Sequence, residues 1–224
     1  MNARHHENKN LVLLNGTNFR GIPVNENYPL VVNYLETIQR VLDLALDQYN
    51  RLFIVRVDLH LPSRPECDDY PSEFGTDVIS RYFASLNAQI QADLSKKRNE
   101  GKRVHSCTLR FVWVKERHEA LQDHYHVVLF FNKDTYHTLG DYTQPGHNLS
   151  TKIVNAWASA LGIEYFQANP LVHFPRDTPY YILGKDAYCF QSDYPLVFKR
   201  LSYFAKVDTK HYGNRSHSFG ASRK

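Results

Sequence analysis

Residues 52–61 read LFIVRVDLHL, and their alternation decides the fold. In an extended chain successive side chains point to opposite sides, so Phe53, Val55, Val57 and Leu59 share one face while Ile54, Arg56, Asp58 and His60 share the other. The first face needs a core to lie on. The second brings charge and imidazole together near one end, as a sheet face equipped for polar work would. The stretch is bounded downstream by Pro62 and a Pro-, Ser- and Asp-containing run over 62–72, which reads as a loop.

Upstream, Val31, Val32, Leu35, Ile38, Val41, Leu42, Ala45 and Leu46 recur at helical spacing and predict an amphipathic helix over about residues 28–49. Downstream, Ile79, Phe83, Leu86, Ile90 and Leu94 form a second stripe, ending in the charged run 96–103 around Gly101. Residues 104–115 and 124–131 are rich in β-branched and aromatic side chains and read as two strands joined through ERHEALQD. Asn148 or Ser150 caps a third helix striped by Ile153, Val154, Trp157 and Leu161 and stopped by Gly162. Short strands follow at 171–174 and 180–183, then a final helix over about 195–207 with Pro195 in its first turn. This order implies an α+β fold, an antiparallel sheet with helices covering one face. The division read from it is an N-terminal extension (1–25), one domain (26–210) and a basic C-terminal tail (211–224).

With 224 residues, the chain can bury roughly 70% of its unfolded surface without staples. Its 15 tyrosines and 13 phenylalanines are compatible with base stacking, although most must serve the core. The formal charge is +4, and from Lys199 onward seven Lys or Arg face the single Asp208, a field that attracts phosphates. Cys67, Cys107 and Cys189 show neither a paired motif nor a disulfide framework, which fits a reducing compartment. The apolar run at 11–14 is too short for a signal-peptide core and no stretch is long enough to span a bilayer, so a cytoplasmic protein without a membrane partner is expected.

His124-Tyr125-His126 is the most informative short string. Two residues apart on a strand, the imidazoles project from one face about 6 to 7 Å apart and can converge on an ion, whereas Tyr125, Val127, Leu129 and Phe131 face the core. Alone, the string also suits two hydrogen-bonded histidines. Glu116 closes the preceding strand, and antiparallel return brings it near His124, making a divalent-ion site of two nitrogens and an oxygen. His118 on the turn and His60 on the polar face are further candidates for the ion or for its surroundings. Tyr203 and Lys206, three apart in RLSYFAKVD, share one side of the last helix. An unperturbed tyrosine is a poor nucleophile at neutral pH, but a nearby cation favours its phenolate and a metal polarises a phosphate.

Four stretches together, FIVRVDL at 53–59, FVWVKE at 111–116, HYHVVLFF at 124–131 and YFAK at 203–206, resemble the HUH endonucleases, and among them the inovirus-type replication initiators of phages and prophages. The resemblance spans residues 50 to 210 or so. It implies an RRM-like antiparallel sheet with the metal histidines on an inner strand, a divalent ion (Mg or Mn) held by His124, His126 and Glu116, and Tyr203 as the nucleophile that becomes joined to a 5′ phosphate. Lys206 then occupies the basic position paired with the tyrosine, and Asp58 an organising one. Positions 199 and 207 are Lys and Val, so a single-tyrosine cycle follows rather than a two-tyrosine one.

The implied partner is single-stranded or locally melted origin DNA, with a host helicase and polymerase, and a homodimer as a further candidate. Candidate phosphate contacts are Lys96, Lys97, Arg98, Lys102, Arg103, Lys199, Arg200, Lys210 and Arg215. Three other readings stay open: a DNA-binding regulator that does not cut, a small single-tyrosine transposase, and a metal phosphoesterase that uses water.

Overall fold

The structure is a computed structural model that describes residues 3–6, 8–62, 77–117, 123–142, 144–207 and 218–223. His118, Lys210 and Arg215, and most of the loop read at 62–72, lie outside the described residues. A two-stranded ribbon, β1 (Asn18–Phe19) and β2 (Ile22–Pro23), precedes α1 (Val32–Gln48). The main sheet is built from β3 (Arg51–His60), β4 (Arg110–Arg117), β5 (Asp123–Asn132), β6 (Val172–His173), β7 (Tyr180–Gly184) and β8 (Phe219–Ala221). Between them run α2 (Val78–Asn99), α3 (Leu149–Leu161), α4 (Tyr165–Ala168) and α5 (Phe190–Leu201), and a 3₁₀ turn, Ser202–Ala205, continues α5. Every pairing is antiparallel, in the order β6-β3-β5-β4-β8, with β7 also pairing β3. The result is an α+β architecture with a central antiparallel sheet flanked by helices.

Helices cover both faces, not one. On the first face α2 and α3 pack on Phe53, Val55, Val57, Leu59, Tyr125, Val127 and Leu129, the set the alternation assigns to the core. On the second, α1 and α5 bury Leu52, Ile54, Val112, Val114, Val128 and Phe130. The reason lies within β3 itself: its second face is polar only from Arg56 onward, and the apolar half before it needs its own cover. Phe19 and Val24 join this second core, and β8 extends the sheet beside β4.

Several boundaries move for local reasons. Residues 104–109 do not continue β4, because side chains satisfy their backbone: Tyr49 Oη accepts from the Thr108 amide, while Asn132 and Gln91 donate to the carbonyls of Ser106 and Cys107. The last helix begins at Phe190 rather than Pro195, so that Pro195 lies inside it, and it tightens to 3₁₀ geometry before Tyr203. Its apolar spacing, Phe190, Tyr194, Val197, Phe198 and Leu201, begins upstream of the proline. At α3, Asn148 Oδ1 accepts from the Thr151 amide and Gly162 adopts φ 71°, as expected for a cap and a stop. Trp157 of α3 is fully buried and donates its indole N–H to the His60 carbonyl at 2.9 Å, pinning the polar end of β3 to the helix behind it. Among the described residues no helix is long and apolar enough to cross a membrane.

Candidate metal centre

The ladder register assembles the site. His124 of β5 faces His60 of β3 on one side and Glu116 of β4 on the other. One rung along, His126 faces Asp58 and Val114, and Asp58 in turn faces His173 of β6. Residues opposite one another in register share a sheet face, so Glu116, His124, His126, Asp58, His60 and His173 all project from the polar end of the second face. The hairpin return places Glu116 opposite His124, as its sequence position suggested.

Ligand atoms of Glu116, His124 and His126 all lie within 4.8 Å of one another. Around an ion with bonds of about 2.1 Å, donor atoms sit roughly 3 to 4 Å apart, so small side-chain rotations close the set. Glu116 is 1% exposed, yet its Oε1 has no hydrogen-bond donor among the described residues. Its Oε2 lies 2.8 Å from Lys206 Nζ and 3.4 Å from His126 Nε2, close enough for ion pairing but not aligned as hydrogen bonds. A buried carboxylate with free lone pairs beside two imidazoles fits a divalent cation.

Charges around the centre are tuned unequally. Burial is the largest influence on Glu116 and opposes its ionisation, but the contacts and charges of His126 and Lys206 overcome it and hold the carboxyl at about 2. Asp58 is likewise resisted by burial and brought down to about 2 by His126 and Arg56. His124 is pushed down to about 4 by burial and by the neighbouring His126, so its ring is neutral at physiological pH and ready to ligate. His126 goes the other way: burial lowers it, and the flanking Asp58 and Glu116 more than compensate, raising it above its ordinary value. Burial and His173 both lower His60.

Tyr203 and Lys206 reach the same place from the opposite wall. They sit on and just after the 3₁₀ turn, where residues three apart lie almost one above the other. Lys206 Nζ donates to the Tyr203 oxygen at 2.7 Å and stands 4.3 Å from that ring's centroid. The Tyr203 ring lies 6.1 Å from that of His126. The turn is held by the segment before α1: the Val31 amide donates to the Ala205 carbonyl, the Val207 amide to the Pro29 carbonyl, and Tyr28 packs edge-on to Tyr203. Burial lowers the Lys206 pKa, but Glu116 and Tyr203 outweigh it and hold the ammonium above its usual value.

The structure therefore brings Asp58, His60, Glu116, His124, His126, Tyr203 and Lys206 together. It does not bring the 96–103 run with them. Lys96, Lys97 and Arg98 end α2 behind the other face, and Asp93, one turn earlier, bonds Tyr136 beyond the far end of β5. Lys97 is paired with Asp93 and Lys102 with Glu100, while Arg103 follows them. Lys199 and Arg200 lie in the last turn of α5, one turn ahead of Tyr203. Arg56, Tyr28 and His173 are neighbours of the site that the motifs did not single out. Arg56 was legible, lying two residues before Asp58 on one strand face. Tyr28 was not, because its contact spans most of the chain.

Two relatives align with most of the chain. The chain is 39% identical over 197 residues to the uncharacterized protein YagK of Escherichia coli (strain K12), covering 86% of this chain and 93% of that one. It is 35% identical over 195 residues to the uncharacterized protein YfjJ of the same strain, covering 85% and 93%. No solved structure matches. The YagK/YfjJ C-terminal domain matches residues 17–222, a span that takes in every described strand of the sheet and Glu116, His124 and His126, and the chain belongs to that family.

Proposed function

We propose that the protein is a metal-dependent, single-tyrosine DNA endonuclease and strand transferase that nicks and rejoins single-stranded origin DNA. The observation behind this is the convergence, from separate elements, of a buried two-histidine, one-carboxylate cluster and a tyrosine whose oxygen accepts a hydrogen bond from a lysine that also reaches the cluster's carboxylate. The tyrosine–lysine pair favours a covalent route over a water-using phosphoesterase, because the lysine stands where it can stabilise a phenolate. The resemblance to HUH replication initiators supports the same reading, and the antiparallel sheet with both histidines on the inner strand β5 agrees with it.

Glu116, His124 and His126 would hold the ion, which when bound supplies charge to a non-bridging phosphate oxygen. The Tyr203 oxygen attacks phosphorus and gives up its proton to solvent, with Lys206 stabilising the developing phenolate. The bond from phosphorus to the 3′ oxygen breaks, and that oxygen leaves as a 3′ hydroxyl once protonated. The 5′ phosphate stays esterified to Tyr203. In rejoining, a 3′ hydroxyl attacks the same phosphorus and releases the tyrosine.

Tyr203→Phe keeps the ring's packing and removes the nucleophile. With labelled single-stranded DNA from the encoding element and Mn(II), wild-type protein is expected to yield an adduct that survives denaturing electrophoresis and maps to Tyr203, and the variant none. Full cleavage without an adduct would favour the water-using phosphoesterase, and an adduct on another residue would remove Tyr203 from the mechanism.

A further inference from the structure

Behind the cluster lies a second layer of charge, in which the motif resemblance gives Asp58 an organising place but no chemical role, and Arg56 none. Asp58 Oδ1 stands 2.7 Å from Nδ1 of His126. Arg56, two residues earlier on the same strand face, sets Nε 3.3 Å from Oδ1 and Nη2 3.3 Å from Oδ2 of Asp58, a fork that meets both carboxylate oxygens. Nη2 also lies 3.4 Å from His126 Nδ1, since both nitrogens address the same carboxylate. The guanidinium carbon then stands 5.4 Å from the Tyr203 ring centroid and 5.9 Å from that of Phe204. Both side chains of the pair are about four-fifths buried, with 20% and 19% exposure.

A neutral imidazole offers a metal only the nitrogen that carries no proton, so whatever accepts a hydrogen bond from the N–H of one nitrogen selects the other as ligand. Here the carboxylate at Nδ1 leaves Nε2, the nitrogen on the Glu116 side, free for an ion. In the opposite tautomer the Nδ1 lone pair would face the carboxylate's own lone pairs. Strand pairing does not need this contact, because β3 and β5 are already joined in register from Leu52 to His60.

We infer that Asp58 and Arg56 are the positioning pair of the metal centre: Asp58 accepts a hydrogen bond from the Nδ1–H of His126 and so turns Nε2 toward the ion, and Arg56 acts through Asp58 by fixing its carboxylate. The inference rests on the metal-binding reading of the cluster and is independent of whether the protein cuts DNA.

The test uses Mn(II) alone, titrated calorimetrically into the full-length protein, with circular dichroism to confirm folding. Asp58→Ala is expected to weaken Mn(II) binding about 10- to 100-fold, the usual effect of removing such an outer partner, and Asp58→Asn, still an acceptor, to weaken it less. Arg56→Ala should weaken it too, and the Arg56→Ala/Asp58→Ala double variant should bind no more weakly than Asp58→Ala, because one residue acts through the other. Nitrogen-15 NMR of the wild type loaded with diamagnetic Zn(II), because Mn(II) would broaden its ligands' signals beyond detection, should show the His126 proton on Nδ1, with its signal assigned by comparison with His126→Gln. Folded Asp58→Ala and Asp58→Asn variants that bind as tightly as wild type, losses that add in the double variant, or a proton on Nε2 would each overturn the inference and leave the metal centre standing. Wild-type protein that takes up no Mn(II) would overturn the metal centre, and the inference with it.

Discussion

Lys206 donates a 2.7 Å hydrogen bond to the phenolic oxygen of Tyr203, and the same ammonium, 3% exposed, stands 2.8 Å from Glu116 Oε2. One buried cation thus neutralises the cluster's carboxylate and addresses the tyrosine. Removing it in Lys206→Met leaves Glu116 as a buried charge facing His126 alone, and stability should fall by about 3 kcal/mol. Because Mn(II) would supply the missing positive charge, urea denaturation of the variant should show stabilisation by the ion larger than that of wild type. An equal shift in both would mean that Lys206 and the ion do not share Glu116.

The two histidines should differ in what their loss does to the fold. His126 contacts both Asp58 and Glu116, so His126→Ala takes one partner from each of two carboxylates that keep Arg56 and Lys206, and should cost about 1 to 3 kcal/mol. His124, only partly buried, should cost about 1 kcal/mol or less as His124→Ala. Each should abolish Mn(II) uptake and metal-supported cleavage. Cleavage of single-stranded origin DNA by the folded double variant at the wild-type rate would rule the cluster out as the working site.

Mn(II) affinity should rise with pH. Glu116 at about 2 and His124 at about 4 are already deprotonated near neutrality, whereas His126, raised above its ordinary 6.5, keeps a proton that the ion must displace. Below the raised value each pH unit of acidification should therefore weaken binding about tenfold, and above it the affinity should level off. Calorimetry between pH 6 and pH 9 in buffers of different ionisation enthalpy should detect about one proton released at the acidic end. A dissociation constant unchanged across that range would show that His126 is not a ligand.

Binding of single-stranded DNA should weaken steeply with salt, and the surface charges should not contribute equally. Lys199 and Arg200 lie a turn from Tyr203, and Lys199 is only loosely paired with exposed Glu26. Lys96, Lys97 and Arg98 end α2 on the far side of the sheet. Replacing Lys199 and Arg200 with alanine should reduce affinity several-fold at 0.1 M salt and flatten the salt slope by roughly one to two units, with a smaller effect from the α2 triple replacement. The reverse order would place the strand on the opposite face of the sheet.

Much of this was legible in local patterns because periodicity is a local consequence of backbone geometry. Alternation in 52–61 and 124–131 gave both strands, their core faces and the shared face of His124 and His126. Spacing gave α1, α2 and α3, and Asn148 and Gly162 marked the ends of the last. The cluster itself was readable because a hairpin is the shortest long-range contact: Glu116 and His124 are opposed by the return of β4 into β5. Where competing partners intervene, local reading fails. The strand read over 104–115 lost its first residues to the side chains of Tyr49, Gln91 and Asn132, and Pro195 drew the start of α5 five residues too late.

By itself, then, the sequence determined which residues share a face within each strand and that Glu116 returns beside His124, since alternation and a hairpin return are local. Only the tertiary structure decided that helices lie on both faces, that the strap before α1 holds the 3₁₀ turn, and that Lys206 bridges Tyr203 to Glu116 while Arg56 stands behind Asp58. Those contacts join segments as much as 175 or so residues apart. They are chosen by the need to bury apolar area and to pair the charges buried with it, and no window along the chain records that choice.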